Sequence, residues 1–492
     1  MNSKNNIKKY IIETVCVLHI LLFVYASVSK LLDFENFKTQ LGQSPILSLY
    51  AEYVSVLVIG IELLTAVLLC IPRFKFIGLW ISAALMIMFT TYIYIILNFS
   101  PFIPCSCGGI LEKLSWHEHL LFNLLFTGLA SLAILLRSTS KQTIRYLLLL
   151  TIFTISSVTV LFLFTDDIMK KENPFIRRLP NASAAKTKEL DVRNNSYYIA
   201  GIYNKKIYLG NRLAPLQVLE VDENLKTKKK HTIKLSRENF PFKALEVRVK
   251  ENSFYVSDGT VPVIYKGLIS DWKAAVIIEG KFYFSQIVFM NDKKIAFRAQ
   301  QPSTGENMLG ITDEKSSFIN FEYQALQKQH DGIFDTDGTI QYSGALNKLV
   351  YTYYYRNQYL VMDTDLNVLS RANTIDTTKN AKLKVVKLEQ SGDIKLAAPP
   401  YMVNRNTSVC NNLLFVNSML RGRYEGDDVW KHASVIDVYD MNQKTYLLSF
   451  YVYDENNLRM KSFYASESSV YIISGHYLLK YQYGKNMKSK FK

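Results

Sequence analysis

Two cysteines separated by one residue, in Phe99-Ser-Pro-Phe-Ile-Pro-Cys105-Ser-Cys107-Gly108-Gly109, are the side chains of this chain best suited to chemistry. In an oxidising compartment such a pair can close only a small, strained ring, and a strained disulfide has a more oxidising potential than a structural one. That suits thiol–disulfide exchange. Gly108 and Gly109 relax the backbone beside the sulfurs, and a helix starting near Ser115 would stabilise a thiolate folded against it. Two other readings stand beside this one. The pair could be a structural loop disulfide, or Cys105, Cys107, His117 and His119 could supply four donors to a metal. The metal reading needs a helix that starts later than the histidines, because residues at i and i+2 of a helix face apart.

A second constellation lies in apolar surroundings. His19 and Glu62 each fall inside a long hydrophobic run, where an ionisable group is costly and a functional or paired role is the default expectation. Counting ~1.5 Å per residue from the flanking charges sets both somewhat toward one end of their runs, close enough to share a hydrogen bond if the runs are neighbours. Proton handling at a quinone pocket is one use of such a pair, and an interhelical polar contact that only fixes packing is the other. Lys30 and Asp33, at the end of the first run, are expected to snorkel to the interface.

The elements that must hold these groups are membrane spans. Ile11 to Val28, Val54 to Ile71, Ile77 to Leu97, Leu120 to Leu136 and Tyr146 to Phe164 each approach the ~20 apolar residues that cross a bilayer, and no such run recurs after Asp166. A cleavable signal peptide fits less well than a retained first helix, because the stretch is long and contains Glu13 and His19. Lys4, Lys8 and Lys9, then Arg73 and Lys75, then Arg137, Lys141 and Arg145 flank alternate span ends, which the positive-inside rule assigns to the cytoplasm. Asp33 to Leu47 and Ser100 to Ser115 then face outward, and so does everything beyond Asp166. The formal charge of +16 is spread over the chain and much of it sits beside spans or in the tail, so it describes topology and surface, not nucleic-acid binding. Of the remaining cysteines, Cys16 and Cys70 fall within spans and Cys410 within the polar half, too few for a disulfide scaffold.

The polar, proline-marked stretch Asp166 to Ala185 is a domain boundary, and from Ser196 the periodicity changes to short β-branched and aromatic segments between Gly, Asn and Asp turns. Tyr197 to Tyr203, Lys206 to Gly210, Phe254 to Ser257, Phe282 to Phe284 and Leu349 to Tyr355 are among the expected strands. Leu216 to Asp222, Tyr359 to Asp365 and Ser434 to Asp440 form a weak repeat, each an apolar strand ending in an acidic turn. Radially repeated four-stranded units of ~40 to 50 residues indicate a β-propeller, with six or seven blades in about 300 residues, and a β-sandwich array is the alternative. Asp335-Thr-Asp337-Gly338 resembles a calcium-loop fragment whose remaining ligand positions fail, and is expected to be a turn.

The N-terminal third resembles the MauE/DoxX group of redox-associated membrane proteins, through Ala26-Ser-Val-Ser-Lys30-Leu-Leu-Asp33 with Gln43-Ser44-Pro45, Glu62 in Ile61-Glu-Leu-Leu, and Cys105-Ser-Cys107-Gly-Gly-Ile-Leu-Glu-Lys before Trp116. The resemblance implies a four-helix membrane bundle. Members are linked to methylamine utilisation, where such proteins assist disulfide formation or cofactor maturation in a partner outside the cytoplasm. The long form also resembles bundle-plus-propeller proteins of Bacteroidetes-type bacteria.

The expected architecture is a transmembrane four-helix bundle over 1–140, a fifth span over 141–166, a linker over 167–195 and an extracytoplasmic all-β domain over 196–485, in a bacterial inner membrane. The expected function is thiol–disulfide exchange or maturation through Cys105 and Cys107, with Glu62 and His19 handling protons. Quinone is the cofactor this calls on, and an extracytoplasmic client or membrane redox protein the partner. The alternative is a non-enzymatic, membrane-anchored propeller that binds or scaffolds.

Overall fold

The computed structural model describes residues 2–43, 47, 50–99, 116–138, 140–170, 175–180, 182–315, 317–388, 392–423 and 425–491. Two compact units divide the chain, one of residues 1–171 with 383–400 and one of residues 172–382 with 401–492.

The apolar runs of the first unit form helices α1 (Asn2–Leu32), α3 (Ala51–Cys70), α4 (Lys75–Phe99), α5 (Trp116–Arg137) and α6 (Lys141–Lys170), with the short amphipathic α2 (Phe34–Gln43) after α1. All five long helices contain a stretch long and apolar enough to cross a membrane. Helix α1 packs on α3 and α5, and α4 closes the ring by packing on the same two, which makes a four-helix bundle with α6 lying outside against α4 and α5. The seams use small residues, as membrane helices do when lipid removes the hydrophobic drive to associate. Ala83, Ala130 and Ala133 are fully buried together with Leu69, Leu79 and Ile134. Outward-facing Leu21, Val56, Leu121 and Phe153 remain exposed, a band suited to acyl chains. Lys75 binds Glu13 at 2.6 Å and ties the start of α4 to α1.

The second unit is a six-bladed β-propeller. Blade one consists of strands Tyr197–Tyr203, Lys206–Asn211, Gln217–Asp222 and Lys228–Thr232, and the later blades repeat this antiparallel order. Blade two gains a fifth, parallel edge strand, Lys234–Leu235. The ring is closed by the N-terminal strand Ala184–Asp191, which pairs antiparallel with Tyr477–Tyr483 as the outermost strand of blade six. The expected linker 167–195 is therefore no linker over its second half. The strand was not legible because its sequence, AAKTKELD, is polar and largely exposed, as an outer blade edge should be.

The three repeat segments occupy one place in the ring. Gln217–Asp222, Gln358–Met362 and Ala433–Asp440 are each the third strand of a blade. The acidic residue that follows caps the turn to the fourth strand: Asp222 accepts from the Lys226 N–H, Asp363 from those of Asp365 and Asn367, and Asp440 from those of Asn442 and Gln443. Asp313 at the end of the third strand of blade three does the same for Ser317. Another recurrent device pairs glycine with an aromatic ring across two strands. Gly210 lies opposite Tyr198, Gly267 opposite Phe254 and Gly310 opposite Phe297, and a Cβ on any of the three glycines would come within 2.6 Å of that ring. Tyr198, held flat in this way, reaches blade two, where its hydroxyl accepts the Val247 N–H at 2.7 Å.

Phe282 to Phe284 is not a strand. Both rings serve packing between turns, with Phe282 stacked on Phe297 at 4.0 Å, and the blade begins at Gln286–Phe289 instead. Asp335 is a turn organiser as expected, its carboxylate accepting the Gly332 N–H at 2.8 Å, while Asp337 pairs with Arg298 at 2.7 Å.

Asp258 offers a test of the blade turns. It is fully buried, and its carboxylate accepts four backbone N–H groups, from Lys243, Ala244, Thr260 and Val261, at 2.7–3.0 Å. Burial alone would raise its pKa, but these donors outweigh it and hold the carboxyl below the ordinary carboxylate range. A depressed folded value means stabilisation that is present above the unfolded pKa of ~3.9 and lost as pH falls through the folded one. Asp258→Asn, whose amide must turn an N–H toward N–H donors, is expected to cost about 1–3 kcal/mol at neutral pH and to flatten the acid limb of a stability–pH curve. Equal melting temperatures at neutral pH would count against this account.

Candidate functional site

Cys105 and Cys107 lie outside the described residues. The chain leaves the described bundle at Phe99 and returns at Trp116, nine positions after Cys107. What α5 brings at its start is well defined, and it meets the other ionisable groups.

Glu62 is 1% exposed in the middle of α3. Ser27 and Lys30, three residues apart and so on one face of α1, both turn to it. Ser27 Oγ donates to Glu62 Oε2 at 3.0 Å and Lys30 Nζ to Oε1 at 2.6 Å. The ammonium also faces the rings of Phe37 and Phe89 at 5.6 and 6.0 Å. Lys30 therefore does not snorkel. Its stem folds inward because a carboxylate buried among helices needs a counter-charge more than the ammonium needs water, and the aromatic faces offset part of the desolvation.

Beside the pair lies a cavity of ≈190 Å³, walled mainly by apolar side chains of α1, α3 and α4 and by Trp116, His119 and Asn123 of α5. His119 is 9% exposed and its Nδ1 has no hydrogen-bond partner among the described residues. Trp116 flanks it with ring centroids 6.3 Å apart. An apolar chamber holding an ion pair, a free imidazole nitrogen and an amide is suited to a flat, weakly polar molecule that accepts hydrogen bonds and exchanges protons.

His19 is elsewhere. It sits eight residues before Ser27, ~12 Å further along α1, with Nδ1 on the Val15 carbonyl at 2.9 Å and its ring edge-on to Phe126. The structure does not bring His19 to Glu62: α3 sets Glu62 level with Ser27 and Lys30, and His19, about three helical turns from Lys30 and so on nearly the same side of α1, lies at another depth, which counting from the flanking charges does not resolve. The four-donor metal set is not assembled by its histidines either. Helix α5 starts at Trp116, so His117 and His119 both lie inside it and face apart, one exposed and one buried. Among the described residues no group of three or more His, Cys, Asp and Glu could hold a metal ion. Cys410 is half-buried in the propeller, and burial pushes its thiol up to about 12, which makes it inert.

Sequence reasoning missed Ser27, and gave Lys30 and His119 other roles. The available signal was spacing: Ser27 and Lys30 at i, i+3 on α1, and His119 and Asn123 at i, i+4 on α5, each a short polar stripe inside an apolar span.

Bundle, cavity and closed ring define a multi-pass membrane protein with a six-bladed propeller. Residues 8–136, which span the four-helix bundle, match the family model of methylamine utilisation protein MauE. The chain is similar to solved structures at low identity. A putative exported protein from Bacteroides fragilis is 11% identical over 64% of this chain and 95% of its own, with a TM-score of 0.38. A member of the duf4221 family from Bacteroides vulgatus gives 11%, 64%, 97% and 0.37. A chain of a nidogen/laminin complex gives 8%, 55%, 85% and 0.34. No curated protein matches the chain.

Proposed function

We propose that the bundle is a thiol–disulfide exchange module whose reacting groups are Cys105 and Cys107, and that the propeller recruits an extracytoplasmic protein client. The observation that carries this reading is the cavity: the helix that follows the cysteine segment opens with Trp116 and His119, and both line a chamber shared with the Lys30–Glu62 pair. In the exchange, a client thiolate attacks one sulfur of the Cys105–Cys107 disulfide, and the second client thiol resolves the mixed disulfide. The client leaves oxidised and the module holds two thiols. To close the cycle, two electrons and two protons must leave the pair, and a quinone, becoming a quinol, is an acceptor of the right stoichiometry and lipid solubility. The residues fit its headgroup: Lys30 and His119 offer hydrogen bonds to ring carbonyls, Glu62 can pass a proton, and the apolar walls suit the ring and tail.

Basic residues Lys8, Lys9, Arg73, Lys75, Arg137 and Lys141 at alternate helix ends support a bacterial inner membrane with the N-terminus in the cytoplasm and the propeller outside. A second reading, a membrane-anchored propeller that binds or scaffolds without catalysis, is favoured by the closed six-bladed ring, which presents loops from every blade on two rims.

The deciding experiment is alkylation of the cysteines in intact cells before and after reduction, combined with single variants. Neither Cys107→Ser nor Cys105→Ser can form the disulfide that a client thiolate attacks, so each single variant is expected to accumulate its client with thiols that alkylate before reduction. The double variant should leave that client reduced. A pair that stays permanently reduced in cells, or secreted proteins oxidised normally in the double variant, would leave only the binding reading.

A further inference from the structure

Blade four carries a polar cleft of ≈630 Å³ with Arg356 at its base. Arg356 is 2% exposed. Its guanidinium lies 3.6 Å over the ring of Tyr353, Nη2 donates to the Gln327 carbonyl at 2.8 Å, and Nε has no partner among the described residues. No carboxylate pairs with it among the described residues. The other deeply buried arginines of the propeller are treated differently: Arg177 holds Glu425 and Asp437, and Arg298 holds Asp337. A cation taken out of water without a counter-ion lowers the stability of the free protein, so its retention calls for an anion from outside.

The rest of the cleft narrows the choice. Among the described residues, Lys379 at the rim also lacks a carboxylate partner, and the side-chain amides of Gln327, Gln358 and Asn373 make no hydrogen bond. We propose that this cleft binds a sugar acid, a hydroxyl-rich small molecule bearing a carboxylate. The planar guanidinium fork matches a carboxylate in two parallel hydrogen bonds. A free amide donates and accepts at once, as a sugar hydroxyl does, so three of them around an anion site suit a polyol acid better than a bare inorganic ion. The volume falls within the ~300–1,000 Å³ of small-molecule sites. This site lies wholly in the propeller and is independent of the cysteine chemistry.

The test is calorimetric titration of the full-length protein in detergent micelles with digalacturonate, its neutral counterpart galactobiose, and triglutamate. Digalacturonate is expected to bind, galactobiose not to, and triglutamate to bind more weakly. Lys379→Ala and Asn373→Ala, both on the exposed rim, should each weaken digalacturonate by about tenfold or less. Arg356→Met should abolish it while leaving the ligand-free melting temperature equal or higher, the opposite of what removing a structural arginine does. Should Arg356→Met fail to fold, the two rim variants carry the test alone. Absence of digalacturonate binding at millimolar concentration, equal binding of galactobiose, tighter binding of triglutamate, or affinities unmoved by both rim variants would each overturn the proposal.

Discussion

Replacing Arg177 with methionine is expected to destabilise the propeller by about 3–5 kcal/mol, because it strands two carboxylates in the interior. Arg177 lies in the segment that precedes the ring-closing strand, and its side chain is completely buried. Nε and Nη2 hold both oxygens of Asp437 at 2.7 and 3.1 Å, Nη1 holds Glu425 at 2.7 Å, and Nη2 also reaches Ser418 Oγ and the Leu420 carbonyl. The rings of Phe175 and Trp430 lie against the guanidinium at 4.8 and 5.8 Å. Every donor of the fork is used, so Lys, a point charge, should rescue only part of the loss. Burial by itself would favour losing the proton, but Asp437 and Glu425 reverse this and raise the guanidinium pKa further above its ordinary value. The cluster therefore stays charged throughout the accessible range. Thermal unfolding of full-length Arg177→Met in micelles should show the propeller transition lowered by ~2–4 °C per kcal/mol lost. A transition within a degree or so of wild type would mean that the two acids find other partners, and the hub would lose its assigned role.

Much of this fold can be read from patterning, and the places where it cannot share a cause. The five spans are legible because lipid demands unbroken apolar runs, and their ends follow from flanking charges. The propeller is legible because a third strand ending in an acidic cap recurs at Asp222, Asp363 and Asp440, where a turn needs the same backbone N–H groups satisfied each time. Ala184–Asp191 escapes because an outer edge strand has no apolar face to display. Phe282 and Phe284 mislead because two aromatic rings one residue apart imitate strand alternation while packing between blades. At the site, hydropathy shows that Glu62 is in the membrane but not which partner it takes. The axial pairing of α1 with α3 sets Ser27 and Lys30 level with Glu62 and leaves His19, about three turns from Lys30, beside Phe126. That His119 and Asn123 line the same cavity as Glu62 is a tertiary fact.

The Lys30–Glu62 pair separates a packing role from a proton-handling one, because two substitutions act on the two roles in opposite ways. Glu62→Gln keeps the shape of the side chain: its carbonyl oxygen can still accept from Lys30, and its amide N–H can donate to the Ser27 hydroxyl in place of the bond Ser27 now donates, so the bundle should fold. It cannot take up and release a proton. If Glu62 serves reoxidation of the Cys105–Cys107 pair, this variant should slow that step about 10²-fold or more, as loss of a positioned acid–base group does. Lys30→Met instead leaves a carboxylate 1% exposed without its counter-charge, which should cost about 3–5 kcal/mol of bundle stability. Lys30→Met combined with Glu62→Leu removes both charges and should recover much of that stability without recovering reoxidation. The readouts are quinone-dependent reoxidation of the pair, followed by thiol alkylation in reconstituted membranes, and thermal unfolding of the same preparations. Wild-type reoxidation in a well-folded Glu62→Gln protein would reduce the pair to an interhelical tie, and recovery of reoxidation in the uncharged double variant would do the same.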